Sequence, residues 1–329
     1  MIRKLAFALA GVTFAAAGCT ATAQGGDNTV TTPEGALMQV DPDLAYKPGE
    51  LTEEQLLESA RGLFTLNGMN VFRRFPRDKT GEMVTFYTEA LKLRSLTPIQ
   101  LTSTQQMILT GVGSAQIKLS AGQQGDRLYD LQGGHKAGTG IRYLRLTYPS
   151  ADLVAGRFAD AGLVPPQFAD QGDGTQAALV ADPAGLPIEI VVRPGAQDGS
   201  DDGVGVGIGV SDLAESRAFY RDFVGLDELP AVEDQVLDIT QYPYRHGETT
   251  LYLHEVGKGL PADTGSSGIQ YVVSDAPMVD AKAKRRNITV ETPLNRLSGF
   301  ALTTVWLNDP DGVTNYFAQV GGAPADEGD

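Results

Sequence analysis

The chain has 329 residues, of which 42% are hydrophobic and 20% charged, with 39 glycines. It is too long for one ordinary core and long enough for two domains and a tail, and its composition excludes a wholly disordered or fibrous protein. A formal net charge of −15 argues against nucleic acid as a partner, because phosphate binding needs a basic surface.

Residues 1–19 read as a signal peptide: Arg3 and Lys4 precede an uncharged apolar run that is too short to span a bilayer as a structural helix. The run ends in Ala16-Ala17-Gly18-Cys19, which resembles the lipobox of bacterial lipoproteins, and Cys19 is the one cysteine of the chain. The resemblance implies lipidation of Cys19 and a membrane partner through that anchor. With Thr20 rather than aspartate next, it implies an outer-membrane lipoprotein facing the periplasm or the surface. Ala21-Thr22-Ala23 is the alternative cleavage site, which would release a soluble periplasmic protein.

Residues 20–50 are rich in Thr, Gly, Pro and Asp without apolar periodicity and read as a flexible tether. A leading helix is expected over 51–64, opened by the capping-box sequence Thr52-Glu53-Glu54-Gln55. Two modules follow, 65–195 and 204–320, joined by a linker over 196–203 and closed by an acidic tail over 321–329. In the first, strands are expected over 69–75, 107–109 and 115–119, with a helix over 82–91. Its second half reads as a strand over 141–147, a helix over 151–161, and strands over 177–180 and 187–192. The second module gives strands over 204–210, 236–239 and 249–255 around a helix over 213–224. Its closing half has strands over 269–273, 303–307 and 314–320 and a helix over 277–286.

The two modules are copies. Phe86-Tyr87-Thr88-Glu89-Ala90-Leu91-Lys92-Leu93 aligns with Phe219-Tyr220-Arg221-Asp222-Phe223-Val224-Gly225-Leu226, and Asp182-Pro183-Ala184-Gly185 aligns with Asp309-Pro310-Asp311-Gly312. Together with Val206-Gly207-Ile208-Gly209-Val210-Ser211-Asp212-Leu213, these features make the chain resemble the vicinal-oxygen-chelate superfamily of glyoxalase-like, bleomycin-resistance-like and dioxygenase-like proteins. The resemblance implies an α+β fold of four βαβββ units forming two tandem modules, each curling around a cleft. The activities it implies range from lyase and isomerase chemistry to ring-cleaving oxygenation and metal-free sequestration, and fold does not choose among them.

In metal-dependent relatives the ligands are His, Gln or Glu on the first and last strands of each half. The positions matching them here are Gly205, Tyr252, Gly268 and Tyr316 in the second module and Asn70, Lys118, Tyr143 and Glu189 in the first. Only Glu189 is a credible ligand, and a lone carboxylate opposite a lysine reads as an ion pair rather than a chelate. No metal or other cofactor is therefore expected. The alternative is a divalent metal at Glu189, serving a lyase or an extradiol-type dioxygenase.

Strand alternation places Asn70, Phe72 and Arg74 on one face, Tyr143 and Arg145 on another, and Glu189 with Arg193. With Lys118 they are expected to line one basic concavity suited to an anionic or aromatic small organic ligand. In the second module Gly203, Gly205, Gly207 and Gly209 leave one strand face bare, open to a flat ligand or to a closely approaching strand. Tyr252, His254, Gln270 and Tyr316 are expected around that space. Glu189, Tyr252 and His254 are the catalytic candidates, and His254, at a strand end, is expected to be partly exposed. The function these readings give is an exported small-molecule-binding protein; the other alternative is a non-catalytic envelope interaction protein. Mass spectrometry of the membrane fraction should find Cys19 acylated, and a mature chain beginning at Gln24 would refute the anchor.

Overall fold

The structure, a computed structural model, describes residues 29–31, 37–100, 105–122, 127–200, 203–297 and 300–321. The expected signal peptide and Cys19 lie outside the described residues, as does nearly all of the acidic tail. Within the stretch expected as a tether, Thr29–Thr31 pairs antiparallel with Leu37–Gln39. The capping box at Thr52 is formed: its hydroxyl accepts from the Gln55 backbone N–H, and the Gln55 side chain accepts from the Thr52 N–H, opening the helix Glu53–Leu57. Lys282 and Arg286 donate to backbone carbonyls of residues 55–58 and hold that helix against Ala276–Arg285. Among the described residues no helix is long and apolar enough to cross a membrane.

The four expected units are present. Their opening strands are Asn70–Phe75, Thr139–Tyr148, Gly205–Val210 and Ser267–Val273. Their closing strands are Ala115–Ala121, Pro187–Val192, Thr249–Glu255 and Thr314–Val320. In every unit the opening strand lies parallel to its own closing strand, and the crossover between them carries the helix on one face of the sheet. Asp212 caps the third helix by accepting from the Ala214 and Glu215 N–H groups, and Asp275 caps the fourth by accepting from Met278.

Edge strands Arg94–Gln100 and Val290–Leu297 go beyond the sequence reading, as does most of Ile239–His246. Arg94–Gln100 is exposed along nearly its whole length, so no inward face imposes an alternation on it. The strand expected over 236–239 is instead a turn that leads into Ile239–His246.

The repeated Phe-Tyr and Asp-Pro-x-Gly motifs meet in space. In both copies the Phe-Tyr pair sits in a π-helical turn, Thr85–Ala90 and Ala218–Val224. That turn places Tyr87 Oη 3.1 Å from Asp182 and Tyr220 Oη 2.8 Å from Asp309. Each aspartate also accepts from two backbone N–H groups of its own turn, Ala184 and Leu186 or Asp311 and Val313. The first unit is thereby tied to the second, and the third to the fourth, through a fully buried phenol and a buried carboxylate. The turns differ in charge, because Asp182 also binds the buried Arg73 guanidinium at 3.0 Å, whereas no described ion pair reaches Asp309.

The sheets do not follow the copies. The opening strand of the third unit pairs antiparallel with that of the second, and the opening strand of the fourth with that of the first. The second and third units therefore share a ten-stranded sheet, and the first and fourth an eight-stranded one. One continuous hydrophobic core includes Phe75, Ile117 and Phe317 from one sheet, Leu144, Ile190 and Leu253 from the other, and Phe86, Phe158 and Phe223 from the helices. The opposite face of each sheet lines a cleft, so each cleft is built from one half of each copy.

Burial raises the Asp309 carboxyl from an ordinary 3.8 to about 7. A carboxyl that binds its proton more tightly when folded contributes stability that is complete below about pH 4 and is lost as pH rises toward 7. Asp309→Asn keeps an oxygen for the two turn N–H groups, and urea titrations of this variant should show a shallower loss of stability over that window than the parent. An unchanged slope would show that Asp309 does not supply it.

Candidate functional site

The ten ligand-site residues expected from the sequence divide evenly between the two clefts. Tyr143, Arg145, Glu189, Tyr252 and His254 belong to the second–third sheet, and Asn70, Arg74, Lys118, Gln270 and Tyr316 to the first–fourth sheet. The single basic concavity expected for the first module is thus split. Lys118 is not opposite Glu189, whose partner is Arg145.

The glycine strand explains how the second–third cleft is filled. Gly205 stands opposite Arg145 on one side and Thr250 on the other, and Gly207 opposite Tyr143 and Tyr252. A Cβ on Gly207 would run into the Tyr143 ring, and one on Gly205 would lie 2.8 Å from both the Arg145 Cβ and the Tyr252 ring. Neighbouring strands occupy the bare face, which leaves no slot for a flat ligand directly over the glycines.

At the floor, Arg145 donates to Glu189 from Nε at 2.5 Å and from Nη2 at 3.0 Å, and Nη2 also donates to Asp234. The Tyr252 ring lies 4.4 Å from the guanidinium carbon. Gln241 Nε2 donates to Asp234 at 3.1 Å and to Tyr143 Oη at 2.8 Å, and Gln171 Nε2 donates to Asp234 at 3.2 Å. Burial raises Glu189 to about 7 against the pull of Arg145. Burial also works against Asp234, but hydrogen bonding with Glu189 and the Arg145 charge hold it below the usual carboxylate range. Arg145 Nη1 alone of the guanidinium nitrogens has no hydrogen bond among the described residues, and Arg145 opens on a cleft of about 500 Å³.

That cleft is lined by the polar residues Arg145, Gln241, Thr250, Tyr252 and Arg245, the carboxylates Asp173, Glu233 and Asp234, and the apolar Leu229, Pro230 and Val232. Sequence reasoning missed Asp234, Gln241, Thr250 and Arg245. The alternation Gln241, Pro243, Arg245 was a usable signal once the strand is placed at Ile239–His246. Asp234 ends the three-residue strand Val232–Asp234, too short to show an alternation, and had none.

His254 does not line the cleft. It is 1% exposed, contrary to the expectation of partial exposure, because residues 130–138 cover that end of the sheet and the His135 carbonyl sits 2.9 Å from its Nε2. Burial lowers its pKa to about 4, so it is a neutral ring at neutral pH, and its Nδ1 has no hydrogen-bond partner among the described residues. Tyr143 is likewise fully buried.

In the first–fourth cleft Lys118 Nζ donates to Gln270 Oε1 at 2.6 Å, and Asn70 Nδ2 donates to the same oxygen at 2.9 Å. Phe72, Trp306 and Tyr316 form a small buried cluster apart from the main core, with the Trp306 and Tyr316 rings 4.3 Å apart. Arg74 packs over Phe72 and donates to the Gly265 carbonyl.

Residues 204–317 match the model of the Glyoxalase/Bleomycin resistance protein/Dioxygenase superfamily. Glyoxalase I from Zea mays is similar in fold, with a TM-score of 0.59 at 17% identity over 76% of this chain and 92% of that one. A Bacillus subtilis protein provisionally described as a dioxygenase gives 0.58 at 14% identity, over 79% of this chain and 87% of that one. No curated protein matches the chain by sequence. The chain thus has the vicinal-oxygen-chelate fold throughout its four units and carries the superfamily's sequence signature in residues 204–317.

The residues at the family's metal positions do not fit a divalent cation. In the second–third cleft both oxygens of Glu189 are engaged by the Arg145 fork, so a metal would have to displace a guanidinium. The first–fourth cleft offers two amides, an ammonium and a phenol, with neither imidazole nor carboxylate among them. Among the described residues no group of three or more His, Cys, Asp or Glu is placed to hold a metal.

Removing Arg145 would leave Glu189 and Asp234 buried without their cation. Arg145→Met should cost about 3–5 kcal/mol in urea unfolding at neutral pH, and adding Glu189→Gln should recover part of that loss. An additive double variant would show that the network is not coupled.

Proposed function

We propose that this protein binds a small organic compound in the cleft between its second and third units, using protein donors rather than a bound metal. The observation that carries this reading is the Arg145 guanidinium. Two of its nitrogens are fixed by Glu189 and Asp234, Nη1 has no hydrogen bond among the described residues, and the residue lines a cleft of about 500 Å³. That volume suits a drug-sized molecule, and a donor already locked in place costs little entropy to use. The ligand class that fits is a largely apolar compound carrying one acceptor or anionic group, its apolar body against Leu229, Pro230 and Val232 and its acceptor toward Nη1 of Arg145. The residues 1–19, read as an export signal ending at Cys19, would place this binding in the cell envelope, at the outer membrane or free in the periplasm.

The buried, neutral His254 and the enclosed Tyr143 disfavour a role for either as a general base toward a ligand in this cleft. Glu189 lies behind Arg145, fully buried. Acid–base chemistry on a bound compound would therefore fall to Tyr252, which lines the cleft.

A thermal-shift screen of aliphatic and aromatic carboxylates and their neutral amides should give compounds that raise the melting temperature. Thr250→Phe, which fills the floor beside Arg145, should abolish those shifts while the protein stays folded. Retention of every shift in Thr250→Phe would place the binding elsewhere. Elemental analysis of the purified protein should find no stoichiometric Fe, Mn, Zn or Ni, and one such ion per chain would overturn the metal-free reading.

A further inference from the structure

Strands Ala169–Asp170 and Gln176–Ala181 are joined by a hairpin tip at the outer end of the ten-stranded sheet. The sequence there, Asp170-Gln171-Gly172-Asp173-Gly174-Thr175, has no apolar side chain, and its two glycines are left-handed, with φ of 81° and 89°. The tip makes most of its bonds to itself. The Gln171 N–H donates to the Thr175 carbonyl at 3.0 Å and the Gly172 N–H to Asp170 Oδ1 at 2.8 Å, while the Thr175 N–H and hydroxyl both donate to Asp173 Oδ1. Ala169 and Asp170 are both exposed, on a strand of two residues at the edge of the sheet. A hairpin end with so few buried contacts belongs to the part of a fold that opens at low cost in free energy.

Gln171, Asp173 and Thr175 nevertheless line the cleft of Arg145, together with Leu229, Pro230 and Val232 of the third unit. Among the described residues, Gln171 is the one member of the tip with a hydrogen bond to that unit. Its side chain makes three: Nε2 donates to Asp234 Oδ1 at 3.2 Å, and Oε1 accepts from the Gln235 N–H at 2.9 Å and the Val236 N–H at 3.2 Å. A primary amide suits this place because it donates to the carboxylate and accepts from the backbone at once. Asp234 does not depend on it. The same carboxylate also takes Arg145, Gln241 and the Leu237 N–H, so the network beneath the cleft persists when the three bonds of Gln171 are broken.

We propose that residues 170–175 are a flap over the Arg145 cleft, latched shut by Gln171. With the three bonds made, the tip of the second unit is fastened to residues 234–236 of the third; with them broken, it swings out from the sheet edge and opens the cleft to solvent. Each bond exchanges with water at a modest net cost, so a latch of three holds the flap and still releases it. The gating role rests on the reading of that cleft as a binding site, whereas the latch itself does not.

Thr250 lines the cleft and is 9% exposed, which makes it a reporter position. In the full-length chain carrying Cys19→Ser, which removes the one native thiol, a Thr250→Cys thiol should react slowly with fluorescein maleimide and readily with the small reagent methyl methanethiosulfonate. Adding Gln171→Ala should raise the rate with the bulky reagent by about tenfold or more and leave the small reagent within about twofold. Equal maleimide rates with and without Gln171 would show that the tip does not cover the cleft, and an equal rise for both reagents would show a general loosening; either result overturns the flap. The Gln235 N–H has Gln171 as its one acceptor among the described residues. Its hydrogen exchange should quicken in Gln171→Ala while the amides of Thr249–Glu255 keep the parent rate, and an unchanged Gln235 would overturn the latch. No ligand enters either measurement. An empty ligand screen therefore leaves this result standing, and a failed thiol test beside a positive screen strikes the flap alone.

Discussion

Gly207 has no side chain, and the Tyr143 ring of the adjacent strand occupies the space where one would stand. That close approach lets the third opening strand pair with the second, with Gly205 opposite Arg145 and Gly207 opposite Tyr143 before the register shifts at Ile208. The cross-copy pairing carries the rest of the architecture. It makes one sheet from the second and third units, leaves the first and fourth to form the other, and fixes which side chains share a cleft. A one-residue slip would turn Arg145 and Glu189 into the core and Leu144 and Ile188 out of it.

The same pairing sets the chemistry of the two clefts apart. Where a superfamily member of the metal-dependent kind gathers ligands around a cation, the second–third cleft gathers Glu189 and Asp234 around the guanidinium of Arg145, with Gln241 donating to Asp234 behind them. A guanidinium holds a fixed planar set of donors and does not exchange with solvent ions, so its geometry is set by folding. On the first–fourth sheet Lys118 and Asn70 instead donate to the Gln270 amide oxygen, with no Asp or Glu in an ion pair with Lys118 among the described residues.

The ties within each copy work on the far side of the sheets. Tyr87–Asp182 and Tyr220–Asp309 each join a helix of one unit to a turn of the next, so the units are linked through their helices while the sheets link them across copies. Two sets of constraints running in different directions produce one continuous core from a duplicated sequence. The copies differ at the ties themselves: Asp182 is paired with Arg73, whereas no described ion pair reaches Asp309, whose carboxyl burial raises toward neutrality. They have also diverged at the helix end. Gly225 adopts a φ of 93°, and its counterpart Lys92 holds the left-handed region at 56°, a conformation that costs a side-chain-bearing residue about 1–2 kcal/mol.

The sequence by itself determined the four units, because helix and strand periodicities are local and the Phe-Tyr and Asp-Pro-x-Gly motifs recur in order. It also determined which residues point toward a cleft, since alternation along a strand is a property of the backbone. It could not determine which cleft. Asn70, Lys118, Gln270 and Tyr316 share a face with one another, and Tyr143, Arg145, Glu189 and Tyr252 with one another, only because strands pair across the copies, and alternation carries no information about the partner strand. The same limit hid the Arg145 partners. Glu189 was legible as the odd carboxylate, but Asp234 joins it from a short strand of the third unit, and the burial of His254 depends on a loop from another unit. Tertiary structure alone decided these, because each depends on contacts between residues far apart in the chain.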